Sequence, residues 1–167
     1  MTSQARLFSR YIQDLPSGKL EWIGLRPARK EPMQEVNEVK AIAGSGLAGD
    51  RRCKASLNSA RQVTIISAEQ IKLIASLLKR KDIDPALLRR NLVVSGLNLN
   101  ALRHQRFRIG DAEFEATAQC HPCSRMDGAL GKGGCAAMLG HGGLCAKIIV
   151  GGLIKVGDEF IPLEQEA

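Results

Sequence analysis

The sequence predicts a β-rich domain, a barrel or sandwich decorated by one or two helices. Three observations carry this. Short runs of β-branched and apolar residues recur along the chain; Gly110-Asp111 and Gly157-Asp158 stand between alternating arms; and only residues 68–80 sustain a helical period. With 167 residues, 44% hydrophobic and 25% charged, the chain reads as a single domain over residues 1–167 with its core at about 20–163. A domain of this size buries roughly 70% of its unfolded surface, so its core needs neither disulfides nor a structural metal.

The first strand is predicted over residues 20–25, where Leu20, Trp22, Ile23 and Leu25 are β-prone, and it ends in a loop punctuated by Pro27 and Pro32. Residues 36–43 alternate loosely and run into GSGLAGDRR, a glycine turn that delivers Asp50, Arg51 and Arg52 to one place. Residues 61–66 (RQVTII) form a further strand. Ser67 and Gln70 then make a capping box that starts a helix over 68–80, with Ile71, Ile74, Ala75 and Leu78 on one face. Asp84-Pro85 opens a second, short helix that Asn91 closes. Residues 92–95 form a strand, and 106–117 form a hairpin about Gly110-Asp111. A strand over 145–150 is expected to turn at Gly151-Gly152, and IKVGDEFI to repeat the hairpin device at Gly157-Asp158.

Composition narrows the function classes. The longest apolar run, residues 148–154, is seven residues with two glycines, against the ~20 needed to cross a bilayer, so no membrane partner is expected. The N-terminus lacks the apolar core of a secretory signal, which makes the cytoplasm the expected location. The charge of +7 favours anionic partners, but only six aromatics occur in the chain, too few for the stacking platform that nucleic-acid binding requires. Ten of the 17 glycines lie between Gly128 and Gly157, yet neither a P-loop nor a Rossmann fingerprint occurs. Small phosphorylated ligands fit better than nucleic acid or a nucleotide site of those types.

The chemistry concentrates in ATAQCHPCSRMD, which sets Cys120, His121, Cys123 and Arg125 within six residues. Pro122 prevents strand pairing there and exposes a loop. A thiol in that loop, close to Arg125 and His121, is a candidate nucleophile or metal ligand; the plain alternative is ordinary reduced cysteines. Structural zinc wants two close ligand pairs, and here Cys135, His141 and Cys145 are off that pattern. A thioredoxin-like dithiol wants the pair to open a helix, and SRMDGALGKGG starts one poorly. Arg89, Arg90 and Asn91 fall at a helix-to-strand junction and could present a guanidinium fork and an amide to phosphate. Asp50 and Arg51 could instead form an internal pair.

Taken together and in order, GLAGDRR, RQVTIISAEQ, LRRNLVVSGLN, FRIGD, CHPCSRMD, GHGG and IKVGDEF resemble the MOSC domain, named for the C-terminal domain of molybdenum-cofactor sulfurases. The resemblance runs from about Trp22 to Phe160 and looks like a stand-alone MOSC protein. It implies a β-barrel-like fold, association with the molybdenum cofactor (molybdopterin), bound or as substrate, and an essential cysteine that carries sulfur as a persulfide or ligates molybdenum. The matching residue is Cys123; beside it, Cys120 could resolve a persulfide or a disulfide, the plain alternative being a neighbour without a role. The resemblance also implies cofactor-binding positions at Arg89, Arg90, Asn91 and Arg125, while Asp50 and Arg51 match the family's GxxGDR signature.

Cofactor sulfurases carry an N-terminal pyridoxal-phosphate domain, for which 167 residues leave no room. Sulfur is therefore expected from a donor such as a cysteine desulfurase. Two other readings stand beside sulfur carriage: a molybdenum-dependent reductase of N-hydroxylated compounds fed by an external electron donor, and a non-catalytic anion- or cofactor-binding module.

Overall fold

The computed structural model describes residues 2–54 and 57–164. In chain order these form α1 (Ser3–Ile12), β1 (Gly18–Leu25), β2 (Gln34–Val36), β3 (Glu38–Ile42), β4 (Gly46–Leu47), β5 (Val63–Ser67), α2 (Ala68–Leu77), α3 (Pro85–Leu88) and β6 (Leu92–Ser95). There follow β7 (Arg106–Ile109), β8 (Ala112–Gln119), α4 (Arg125–Leu130), α5 (Gly134–Met138), β9 (Leu144–Val150), β10 (Gly152–Lys155) and β11 (Glu159–Leu163). Short 3-10 turns occupy Arg51–Lys54 and Leu99–Leu102.

Seven strands close into a barrel in the order β11-β7-β8-β9-β5-β6-β1, and the pairs Gly18 with Phe160 and Lys19 with Glu159 join its ends. Closure removes the open edges that would otherwise invite pairing with another chain. Among the described residues the barrel pairs are antiparallel except β5 with β6, where Ile65 meets Leu92. Parallel neighbours need a crossover, and α2 and α3 supply it. A second sheet, β10-β3-β4, lies beside the barrel.

The strand pattern explains both cores. Inside the barrel, Phe107 stacks between Phe114 and Phe160 at centroid distances of 5.2 and 4.6 Å, with Ile65, Leu92, Ala146 and Ile148 around them. Alternate residues of β5 and β6, Ile66 and Val93, point outward and are covered by Ile71 and Ile74 of α2, Leu88, Met126 and Leu130. All five residues of β5 are consequently buried, the pattern of a strand covered on both faces.

The hairpin at Gly110-Asp111 forms as the sequence predicts, with Ile109 opposite Ala112 and Gly110 at φ 53°. The Ser67–Gln70 capping box starts α2, and Asp84 caps α3 with Pro85 in its first turn. That helix stops at Arg89, in the left-handed region at φ 55°, two residues before Asn91.

Two expected hairpins are corrected. The Gly151-Gly152 step carries the chain from the barrel into the small sheet, where β10 pairs with β3, and Gly157-Asp158 carries it back to β11, which pairs with β7 and β1. Three short helices also exceed the one or two read from periodicity. α1 is capped by the Thr2 hydroxyl, and α4 begins at Arg125 despite its glycine and without a side-chain cap. At α5, the Asp127 carboxylate accepts the Cys135 N–H at 2.9 Å.

Candidate functional site

Where β1 ends, Arg26 turns into the protein and meets Asp50 from the glycine loop. Arg26 Nε and Nη2 donate to the two Asp50 carboxylate oxygens at 3.1 Å each. Asp50 also accepts the backbone N–H groups of Arg26 and Arg52 and the Asn91 side-chain amide at 2.9 Å. Burial alone would raise the Asp50 carboxyl pKa, but the hydrogen bonds and charge of Arg26 outweigh it and hold the group below its ordinary value. Asn91 is fully buried and ties β1, β5 and β6 together. It donates to the Gly24 carbonyl and accepts from Arg26 and from Thr64. Asp50 thus pairs with Arg26, not with Arg51.

Above this network opens a recess of about 190 Å³. Its walls come from distant parts of the chain: Arg51 and Arg52 from the 3-10 turn, Arg61 leading into β5, Arg89 and Arg90 after α3, His121 and Cys123 between β8 and α4, and Arg125 at the start of α4. Arg26 and Lys30 complete eight basic residues, and no carboxylate is among the lining residues. The Nε atoms of Arg51, Arg52 and Arg61 are buried without a partner among the described residues. Burial first, and neighbouring guanidinium charges second, pull the pKa of Arg52 and Arg89 below the ordinary value. Like charges gathered around donors that lack acceptors make a site for a multiply charged anion.

The two adjacent arginines after α3 diverge. The left-handed turn at Arg89 sends its guanidinium to the rim, where it donates to the Glu31 carbonyl at 2.6 Å. Arg90 is buried and donates to the carbonyls of Gly142, Leu88 and Cys120. Gly142 approaches Cys120 so closely that a Cβ there would overlap the Cys120 carbonyl.

The cysteines of the C-x-x-C pair are placed differently. Cys123 is exposed and lines the recess, in a stretch that Pro122 keeps free of strand pairing. Cys120 is buried at the end of β8 and is absent from the lining; its sulfur accepts from Arg61 Nη2 at 3.4 Å. The Cys145 thiol donates to that sulfur and brings the Cys120 pKa down to about 6 against the effect of burial, with the charges of Arg90 and Arg61 assisting. The same hydrogen bond, together with burial, pushes the Cys145 thiol up.

Of the residues singled out in the sequence, Cys123, Arg125, Arg89, Arg90 and Arg51 meet at the recess, whereas Asp50 and Asn91 lie beneath it. Arg26, Lys30 and Arg61 were not singled out. Arg26 is 24 residues from its partner Asp50, and nothing in the local text marks either Arg61 or Lys30. Among the described residues no group of three or more His, Cys, Asp and Glu side chains forms a metal-ligand set, so the off-pattern cysteines do not assemble a zinc cage. A larger groove of about 580 Å³ between α2 and the Leu99–Leu102 turn has leucine and amide walls and neither a sulfur nor a cluster of cations.

The MOSC domain matches residues 52–161, well over half of the chain, beginning just after Asp50 and Arg51. Solved structures with the same fold include YuaD of Bacillus subtilis, 21% identical, with a TM-score of 0.74, 87% of this chain and 95% of that one being covered. YiiM of Escherichia coli is 16% identical, with a TM-score of 0.66 and coverage of 89% and 71%. YiiM of Geobacillus stearothermophilus is 12% identical, with a TM-score of 0.70 and coverage of 88% and 75%. Comparison with curated proteins finds no match. Among the described residues no helix is long and apolar enough to cross a membrane.

Proposed function

Because this chain belongs to the MOSC domain family, which is generally associated with the molybdenum cofactor, we propose that its recess binds the anionic cofactor and that Cys123 is a sulfur carrier facing it. The observation that carries this reading is one exposed thiol on a wall that also carries eight Lys and Arg side chains and no carboxylate. The donor set fits the group. Guanidiniums with unpartnered Nε atoms suit phosphate and oxo oxygens, and a thiolate is a soft ligand of the kind that metal centres in sulfur chemistry take. At about 190 Å³ the recess is smaller than the ~300 Å³ at which drug-sized pockets begin. It takes the anionic end of a ligand and leaves the rest on the rim.

In this assignment Arg51, Arg89 and Arg125 contact the anion, Arg90 fixes the wall, and Asp50 and Asn91 act through Arg26, which they hold in place. When bound, the cofactor supplies the redox chemistry of molybdenum; the protein supplies binding, orientation and sulfur. Loading needs a donor persulfide, as a cysteine desulfurase provides. The Cys123 thiolate attacks its outer sulfur, the donor S–S bond breaks, and the donor leaves as a thiolate while Cys123 keeps the sulfur as a persulfide. Exposure of Cys123 supports this step, since a donor protein has to reach the sulfur.

Incubation with a cysteine desulfurase and cysteine, followed by intact-mass measurement without reductant, tests the carrier role. The wild type is expected to gain one sulfur atom and Cys123→Ser none; equal gain in both overturns the assignment. Molybdenum retained by the wild type and lost from the variant, without sulfur gain, would make Cys123 a ligand instead and move the protein toward the reductase reading.

A further inference from the structure

The buried sulfurs Cys120 and Cys145 stand behind the recess and have no part in the loading step. The arginines around them are held in different ways. Asp50 and Asn91 hold Arg26, three carbonyls hold Arg90, and the Glu31 carbonyl holds Arg89. Arg61 differs: its Nε has no partner, and the Cys120 sulfur is the acceptor for its side chain among the described residues. Arg61 itself lines the recess.

Resting on the reading that the recess binds an oxyanion, we infer that Cys120 is a positioning residue: its sulfur, backed by the Cys145 thiol, anchors Arg61, and its negative charge tempers the hold of the recess on anions. The groups that face this sulfur are Arg61 before β5, Arg90 after α3, Arg26 after β1 and Cys145 on β9. Three are cations and the fourth is a thiol that donates, so the site favours thiolate. Protonating Cys120 removes a negative charge from behind the wall and releases Arg61 toward the anion. Oxyanion affinity therefore rises as pH falls through the Cys120 ionisation, which lies at about 6. Arg90 hydrogen-bonds the Cys120 carbonyl, not its sulfur, so it stays in place when the sulfur is protonated.

Sulfate, which keeps its double charge throughout, serves as the probe. Its binding to wild type, Cys120→Ala and Cys120→Ser is measured by calorimetry from about pH 5 to about pH 8. Both variants are expected to bind about fivefold more tightly than wild type at the alkaline end, as the loss of one nearby charge implies, and equally at the acid end. His121 also lines the recess, but it is present in all three proteins and cancels in the affinity ratio. A ratio that does not change with pH, or wild type binding more tightly at the alkaline end, overturns the inference. Absence of sulfate binding by wild type at every pH overturns the oxyanion reading on which it rests.

Discussion

Arg26 and Asp50, 24 residues apart, lock together through two hydrogen bonds of 3.1 Å at the floor of a recess lined by eight Lys and Arg side chains and no carboxylate. The fork-to-carboxylate geometry is the strong form of such a pair, and both side chains are almost wholly buried, at 7% and 1% exposure. Asp50 gives the buried Arg26 charge a partner, and the Arg26 charge reaches the recess floor in a fixed orientation.

Removing the carboxylate leaves that charge buried and alone. Asp50→Ala is expected to destabilise the fold by about 3–5 kcal/mol, measured as a fall in the urea midpoint at neutral pH. A loss under ~1 kcal/mol, the size of a surface pair, would show that the pair adds little.

The same pair makes the fold acid-sensitive in a defined direction. The Asp50 pKa is lower folded than unfolded, so its contribution is complete above the unfolded carboxylate value of about 3.9. It is lost as pH falls through the lower folded value. Urea midpoints of wild type should drop in this acid range, and Asp50→Asn should flatten part of that drop; parallel curves would contradict the linkage.

Charge-assisted bonds to an anion contribute about 1.5–3 kcal/mol each, so Arg125→Ala and Arg51→Ala should each weaken sulfate binding by about tenfold or more. Arg108→Ala, outside the recess, should leave it unchanged. Equal effects of all three substitutions in a calorimetric titration would reduce the site to bulk charge.

Gly143 sits at φ 86° where a Cβ would overlap the Ile65 carbonyl, and its own carbonyl accepts the Cys120 N–H at 2.8 Å. Gly143→Ala is expected to lower the melting temperature by several degrees and to shift the Cys120 ionisation. Gly140→Ala, where a Cβ meets nothing within 4 Å but φ is 80°, should cost less. Equal losses would show that strain in φ, similar at the two positions, and not the close approach of β5 governs this loop.

The parts of the fold legible in the sequence are those written in neighbouring residues. The Ser67–Gln70 box, the Asp84-Pro85 start and the Gly110-Asp111 turn each complete their hydrogen bonds within a few positions. Gly151-Gly152 and Gly157-Asp158 carry the same local text as a hairpin turn, but β10 finds its partner in β3, more than 100 residues earlier; turn chemistry does not record which sheet the next strand joins. At the site, the exposed loop around Cys123 followed from Pro122. The role of Arg61 did not, because it depends on a sulfur 59 positions away, nor did that of Arg26, whose partners Asp50 and Asn91 lie 24 and 65 positions along the chain.

Under the proposed function, Cys123 and the basic recess form one site for the molybdenum cofactor and its sulfur. The most direct test of this is native intact-mass spectrometry of protein purified without reductant from a host that makes the cofactor, with wild type, Cys123→Ser and Arg125→Ala compared. Wild type is expected to carry an added sulfur that Cys123→Ser lacks, and a molybdopterin adduct that Arg125→Ala weakens. An adduct that persists unchanged in both variants, or a bare wild-type mass after loading with donor and cofactor, would contradict this reading.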